Sequence, residues 1–280
     1  NRLTFYRWVF MPHPHISALQ DWRGHSRGHI VSIRDVTARR LAEQQAAQLT
    51  FERERIRILS DFIRDASHEF RTPLTVIQSA ARVLSKIDDP QMRQDHTARI
   101  LEQSNSILHL VEDLVQMTRL DSVRTLPRAP VDLNAVVSMA VQNARMRYQD
   151  RRINFRLDLN PDLPAAQASE TDLYLALCKL IANAVRYSPV GADVTVCTGS
   201  SAGSLFIEVR DWGSGIMPQD LARVFERFYR ADEAHTTSGF GLGLPIAQRV
   251  ANLHGGSIDI QSVPNAGSTF TLWLPTTLTQ

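Results

Sequence analysis

Cysteine is nearly absent. Cys178 and Cys197 are the only two in 280 residues, too few for a disulfide framework or a thiolate metal cluster, and they read as small buried side chains in a reducing compartment. An excess of either charge is missing too. Lys and Arg number 31 against 29 Asp and Glu, a net charge of +2, which argues against a nucleic-acid partner. No apolar run approaches the roughly 18 residues that cross a bilayer, and the first residues carry no signal-peptide pattern. What is present, 43% hydrophobic and 21% charged residues, suffices to bury a core and to divide into two or three domains. The chain starts at Asn1 rather than Met. It is therefore expected to be a piece of something longer, in a cytoplasmic setting and with a membrane reached only through segments outside this chain.

Glycine and proline are also missing from Thr37 to Phe70, a stretch rich in helix formers with Thr37 placed to cap its start. Ile56, Ile63, Phe70, Ile77 and Leu84 recur at heptad spacing, with Leu59, Ala66, Leu74 and Ala81 beside them. That is a core-facing stripe. Asp61, His68, Thr75 and Arg82 form a separate polar seam, which puts His68 on an exposed face. After the turn "SKIDDPQ", a second helix is expected from about Gln91 to Leu120, with one seam of Ile100, Ile107 and Leu114 and another of Leu101, Leu108 and Val115. A hairpin with one greasy side is best covered by a second copy, so a homodimeric four-helix bundle is expected.

The segment "RTLPRAP" reads as a linker. Beyond it, helices are expected at Leu133 to Arg147 and Glu170 to Tyr187, in "PQDLARVFERF" and in "GLPIAQRVANLH", with strands at "INFRLDL", "DVTVCT", "LFIEVRD" and a closing hairpin. Such a mixture implies an α/β sandwich whose antiparallel-rich sheet is covered on one face. At the other end, "LTFYRWVF" and "GHIVSIRDV" read as strands. His13, His15, His25 and His29 lack the cysteine or carboxylate spacing of a metal site.

Chemistry concentrates in a few places. His68 can attack a phosphoryl group as a neutral imidazole, and the adjacent Glu69 could accept the proton from its other nitrogen. Pro73 removes a backbone donor and crowds the carbonyl of Glu69, so the helix should bend beside His68. In "DWGSG", Asp211 ends a strand, and Gly213 and Gly215 let the backbone approach a ligand closely. In "SGFGLGL", Gly239, Gly241 and Gly243 precede a helix and expose amides to phosphate. With Leu at 244 and no P-loop lysine, Rossmann and Walker readings fail.

Taken together and in order, "SHEFRTPL", "LIANAVRYSP", "DWGSG", "VFERFYR", "GFGLGL" and "NAGSTFTLWLP" resemble the phosphoacceptor, Asn, glycine and Phe boxes of sensor histidine kinases. The resemblance runs from about Arg55 to Pro275. It implies a dimeric helical hairpin followed by a GHKL-type α/β sandwich that binds ATP and Mg2+. It also implies that His68 is phosphorylated and that the phosphoryl group passes to an aspartate of a response regulator receiver domain. Within it, Asn183 is the implied magnesium ligand, Arg186 a phosphate contact and Tyr187 a cover for the adenine face. Asp211 is assigned to the adenine amine, and the segment from Gly239 through Leu242 to Leu244 to the phosphates, with Arg227 and Arg230 as further phosphate contacts. Thr72, one turn after His68, would orient the water that dephosphorylates the regulator.

One position departs from the pattern. The family often has a second Asn four residues before Asn183, and here that residue is Lys179, which cannot bind a metal but could neutralise a phosphate. The stretch "RADEAHTTSG" is expected to be a mobile lid. "GHIVSIRDVTARR", with Asp35 and Thr37, resembles the exit of a PAS domain. The expected organisation is a PAS-like end at 1–37, a signalling helix at 38–55, a dimerisation and phosphotransfer domain at 56–125 and a catalytic ATP-binding domain at 130–276. Two other functions fit the residues alone: a non-catalytic, nucleotide-regulated dimeric scaffold, and a GHKL-type ATPase of another function.

Overall fold

The computed structural model describes residues 15–20, 23, 26–32, 37–231 and 239–276, and the chain divides into two units, Asn1–Asp61 and Phe62–Gln280. In the first unit, strands β1 (His15–Gln20) and β2 (Ser26–Ser32) pair antiparallel, with a register shift at Leu19/Gln20. The strand expected in "LTFYRWVF", the exit residue Asp35 and most of the expected lid lie outside the described residues.

Helix α1 (Thr37–Leu84) continues through Pro73 without interruption. Helix α2 (Pro90–Ser122) starts where the Asp89 carboxylate accepts the Met92 amide at 2.8 Å and Pro90 supplies a preset first turn. Between them, the Arg93 guanidinium donates to the Ile87 carbonyl at 3.0 Å and ties down the turn. The heptad stripe splits in two. Ala66, Pro73 and Ala80 are buried, Phe70, Ile77 and Leu84 are half-buried, and Ile63 and Leu74 face outward. On α2 the Ile100–Ile107–Leu114 seam is half-buried, whereas Leu101, Leu108 and Val115 are exposed.

The segment read as a linker ends in structure, because strand β3 (Ala129–Val131) pairs antiparallel with β5 (Ala166–Ala168) in a small sheet of its own. Helix α3 (Leu133–Arg147) is capped by the Asp132 carboxylate, which accepts the amides of Asn134 and Ala135 at 2.8 and 3.3 Å. Strand β4 (Asn154–Leu159) opens the main sheet, and helix α4 (Glu170–Tyr187) follows β5. Next come β6 (Asp193–Ser201), β7 (Ser204–Asp211), helix α5 (Gly243–Leu253), β8 (Ser257–Val263) and β9 (Gly267–Pro275). The five-stranded sheet has the order β4-β6-β7-β9-β8, and only β4 and β6 run parallel.

Strand period fixes which face is covered. Val194 and Val196, Leu205, Ile207 and Val209, and Phe270, Leu272 and Leu274 are buried against the helices. From α4, Leu173, Ala176, Leu177, Leu180, Ile181 and Ala184 meet them, the three-and-four spacing of an amphipathic helix.

The helix expected at "PQDLARVFERF" is instead a run of turns. Its amides bond mostly three residues back, as in Asp220 N–H to Met217 and Glu226 N–H to Arg223. Phe228 adopts a left-handed φ of 61°, which ends any right-handed helix there. Such a segment is too short to hold a helix without a buried apolar face, and Val224 is its one buried side chain.

Candidate functional site

Asp211 is the last residue of β7 and points to the covered side of the sheet, where it is 3% exposed. Its Oδ1 accepts the amides of Gly213 at 2.9 Å and Ser268 at 3.2 Å. Burial pushes its carboxyl above the ordinary carboxylate range, and those two amides pull partly back. Gly213 is required by packing, since a Cβ there would stand 2.2 Å from the Tyr187 carbonyl oxygen. Gly215, at φ 64°, passes equally close to Val263.

The second glycine segment leads into α5, whose first turn has no side-chain cap. Gly239 lies against the Arg186 guanidinium, which a Cβ would approach to 2.3 Å, and Gly241 adopts φ 67° beside the backbone of Phe228 and Tyr229. The start of α5 therefore offers amides with no intrahelical partner, an anion-binding arrangement.

Helix α4 presents Lys179, Asn183, Arg186 and Tyr187 to the same cavity, which has a volume of about 560 Å³. Asp211, Gly215, Arg230, Gly239, Gly241, Gly243 and Leu244 line it as well. The structure thus brings ten of the expected nucleotide residues together. Three stand apart from the lining. Gly213 packs beneath Tyr187, Leu242 is 1% exposed and faces the core, and Arg227 donates to both oxygens of Asp121 at 3.0 and 2.7 Å. Arg227 also stacks over the Phe62 ring at 5.7 Å, so this arrangement commits it to the hairpin.

Several cavity residues escaped sequence reasoning. Ser268 lies within a quoted motif, and its amide bond to Asp211 could have been anticipated from the neighbouring glycine. Ser106, His109, Glu112 and Asp113 of α2 form one wall, and nothing in their local spacing marks them. Asp113 forms an ion pair with Lys179. Arg147 contacts His109 Nε2 at 2.7 Å, and burial, followed by the charge of Arg147, holds the His109 imidazole below its ordinary pKa.

His68 is exposed and Glu69 half-exposed on α1, outside the cavity lining. Among the described residues neither side chain forms a hydrogen bond. Thr72 is exposed one turn on. The hydroxyls of Ser67 and Thr75 bond the carbonyls four residues back at 2.7 and 2.8 Å, but among the described residues no such bond is formed by Thr72.

Two family models match this chain: the His Kinase A (phospho-acceptor) domain over residues 58–123, and the Histidine kinase-, DNA gyrase B-, and HSP90-like ATPase over residues 168–278. The Sensor-like histidine kinase SenX3 of Mycolicibacterium smegmatis is 36% identical over 219 residues, 77% of this chain and 57% of that protein. The chain therefore spans little more than half the length of such relatives. Among solved structures, full-length ShkA in complex with AMPPNP is similar with a TM-score of 0.57 and 29% identity, over 75% of this chain and 44% of that one. Histidine kinase ThkA in complex with response regulator protein TrrA shares the fold with a TM-score of 0.67 at 20% identity, over 96% of this chain and 77% of ThkA.

Proposed function

The chain belongs to the sensor histidine kinases, and on that premise we propose that it transfers the γ-phosphoryl group of ATP to His68 and then to an aspartate of a response regulator. One observation carries the reading: a single cavity joins a buried carboxylate, Asp211, to an uncapped helix start flanked by Arg186 and Lys179. The first suits the adenine amine and the second a polyphosphate. Tyr187 and Ile216 also line the cavity and supply apolar surface for the base.

In the transfer, one imidazole nitrogen of His68 forms the bond to phosphorus as the bond to the β–γ bridging oxygen breaks, and ADP leaves. Glu69 takes the proton from the other nitrogen. Arg186 and the α5 amides hold the phosphates, since such transfers depend mainly on positioning and charge neutralisation. The Asn183 amide oxygen is a hard donor that fits Mg2+. No cluster of three or more His, Cys, Asp or Glu occurs among the described residues, so most of the ion's ligands would be phosphate and water. When bound, the ion would neutralise phosphate charge. Because His68 lies outside the cavity lining, the ATP-binding layer must move relative to a hairpin to deliver the phosphoryl group.

The outward Leu101, Leu108 and Val115 support a homodimer through the hairpin. The hydroxyl of Thr72, exposed and making no hydrogen bond among the described residues, supports a second activity, dephosphorylation of the regulator, because it can orient water. Residues 1–37 are proposed as the end of a PAS-like sensor domain, 38–55 as a signalling helix, 56–125 as the phosphotransfer domain and 130–276 as the catalytic domain. No helix among the described residues is long and apolar enough to cross a membrane. Incubation with γ-labelled ATP should leave acid-labile, base-stable label on the protein; absence of label would refute kinase activity. Thr72→Ala should keep that label and slow dephosphorylation of a phosphorylated regulator, and an unchanged rate would leave a kinase alone.

A further inference from the structure

Lys179 stands at a junction. Its Cβ and Cδ lie 3.8 and 3.9 Å from where a Cβ on Gly243 would be, so its aliphatic stem runs beside the uncapped start of α5. Its ammonium is paired with the Asp113 carboxylate of α2, and the two side chains are 23% and 16% exposed. Both residues line the cavity. The neighbouring Glu112 lines it too, so the hairpin contributes two carboxylates to the wall beside Asn183 and Gly243. One other tie lies beside it, the Arg147 guanidinium against His109 Nε2 at 2.7 Å, and the remaining ties between α2 and the α/β layer lie further along the helix. Arg119 pairs with Asp172, Arg227 with Asp121, and Arg249 donates to the carbonyls of Leu120 and Val123 at 3.1 Å each. Among these described ties, the Lys179–Asp113 pair is the one ion pair with both members in the cavity wall.

We propose that Asp113 is a nucleotide-selectivity residue that withholds Lys179 from the terminal phosphates, so that a nucleoside triphosphate must take Lys179 from it and thereby loosens the hairpin at this point. This rests on the reading of the cavity as a nucleotide site. A polyphosphate and a carboxylate compete for one partly buried ammonium, and a pair removed from water cannot be exchanged for nothing. The incoming anion has to supply the replacement partner. Adenosine carries no such anion, so it leaves the pair closed. The ties at Arg119, Arg227 and Arg249 do not line the cavity and the Arg147–His109 contact does not involve Lys179, so the hairpin loosens at Asp113 while these other ties stay in place.

The test uses the chain in a His68→Gln background, so that no phosphoryl group is consumed, with MgATP and adenosine as calorimetric probes. Asp113→Asn should tighten MgATP about three- to tenfold while adenosine changes less than about twofold, the range expected when one coupled charge pair is opened. Lys179→Met should weaken MgATP and cancel the gain from Asp113→Asn in the double variant. Glu112→Gln, which removes a neighbouring charge without touching the pair, should give a smaller gain. Amide exchange in α2 around Asp113 should rise with MgATP and not with adenosine. The proposal is overturned if Asp113→Asn leaves MgATP affinity unchanged, tightens adenosine equally or acts equally without Lys179. A Glu112→Gln effect of the same size, or no rise in exchange, overturns it as well. Loss of both MgATP and adenosine binding in the His68→Gln parent refutes the nucleotide reading itself.

Discussion

The hairpin and the α/β layer both carry regularly spaced apolar residues, yet they stand in opposite conditions. In the layer, Leu173, Leu177, Leu180, Ile207 and Phe270 are all 0% exposed, so the core is closed within one chain. In the hairpin, Leu101 and Leu108 are each 60% exposed and Ile63 57%. A helix whose apolar seam is left in water at about 1.5–3 kcal/mol per large side chain is an unfinished structure. On the proposed function, the layer supplies most of the nucleotide cavity, whereas the hairpin would be completed by a second copy and would carry the phosphoryl acceptor.

The largest expected effect divides the two chemically. His68→Gln should abolish acid-labile phosphorylation while ATP affinity is unchanged, because His68 lies outside the cavity lining. Label persisting on the variant would move the acceptor elsewhere. Next, truncating the closed core should unfold what truncating the open seam does not. Leu177→Ala should cost about 2–5 kcal/mol of stability, seen as a fall in thermal midpoint. Leu101→Glu with Leu108→Glu should instead convert dimers to monomers by sedimentation with the layer still folded. Dimers that survive both charges would place the interface on another face.

A smaller effect belongs to the layer alone. Asp211→Asn should weaken ATP by about 1.5–3 kcal/mol, the range for a hydrogen bond to a charged group. Calorimetry showing unchanged affinity would remove Asp211 from the adenine end. The smallest effect has the opposite sign. Burial raises the Asp211 pKa above its ordinary 3.8, so between those values the folded state binds more protons than the unfolded state. Stability therefore falls as pH rises through that window and stays lower above it. Asn bears no such penalty and keeps an oxygen for the two amides. The nucleotide-free Asp211→Asn protein should have a higher thermal midpoint at pH 7, and this advantage should shrink as pH falls. A variant that melts lower at pH 7 would show that the carboxylate stabilises the empty fold.

Much of this was legible in residues. The expected helices at Leu133–Arg147 and Glu170–Tyr187 match α3 and α4 at their observed bounds, because helix signals act within one or two turns. The same rules failed at "PQDLARVFERF", where helix-forming residues meet a left-handed Phe228, a Tyr229 hydroxyl bound to Asp220 at 2.7 Å, and an amide of Phe228 given to Gly241 at 3.1 Å. Pro130 was read as a linker and lies in an edge strand, a place where its missing donor does no harm.

The sequence alone determined the two building blocks, since periodicity and short-range backbone chemistry are local, and the order of its motifs, through their resemblance to a family, singled out His68, Asn183 and Asp211 as candidates. Tertiary structure alone decided that Lys179 meets Asp113, that Arg227 meets Asp121 rather than the cavity, and which hairpin seam is left open. Those outcomes depend on where segments 66 and 106 residues apart come to rest. A charge takes the partner that folding brings within reach, and its neighbours along the chain do not record which partner that will be.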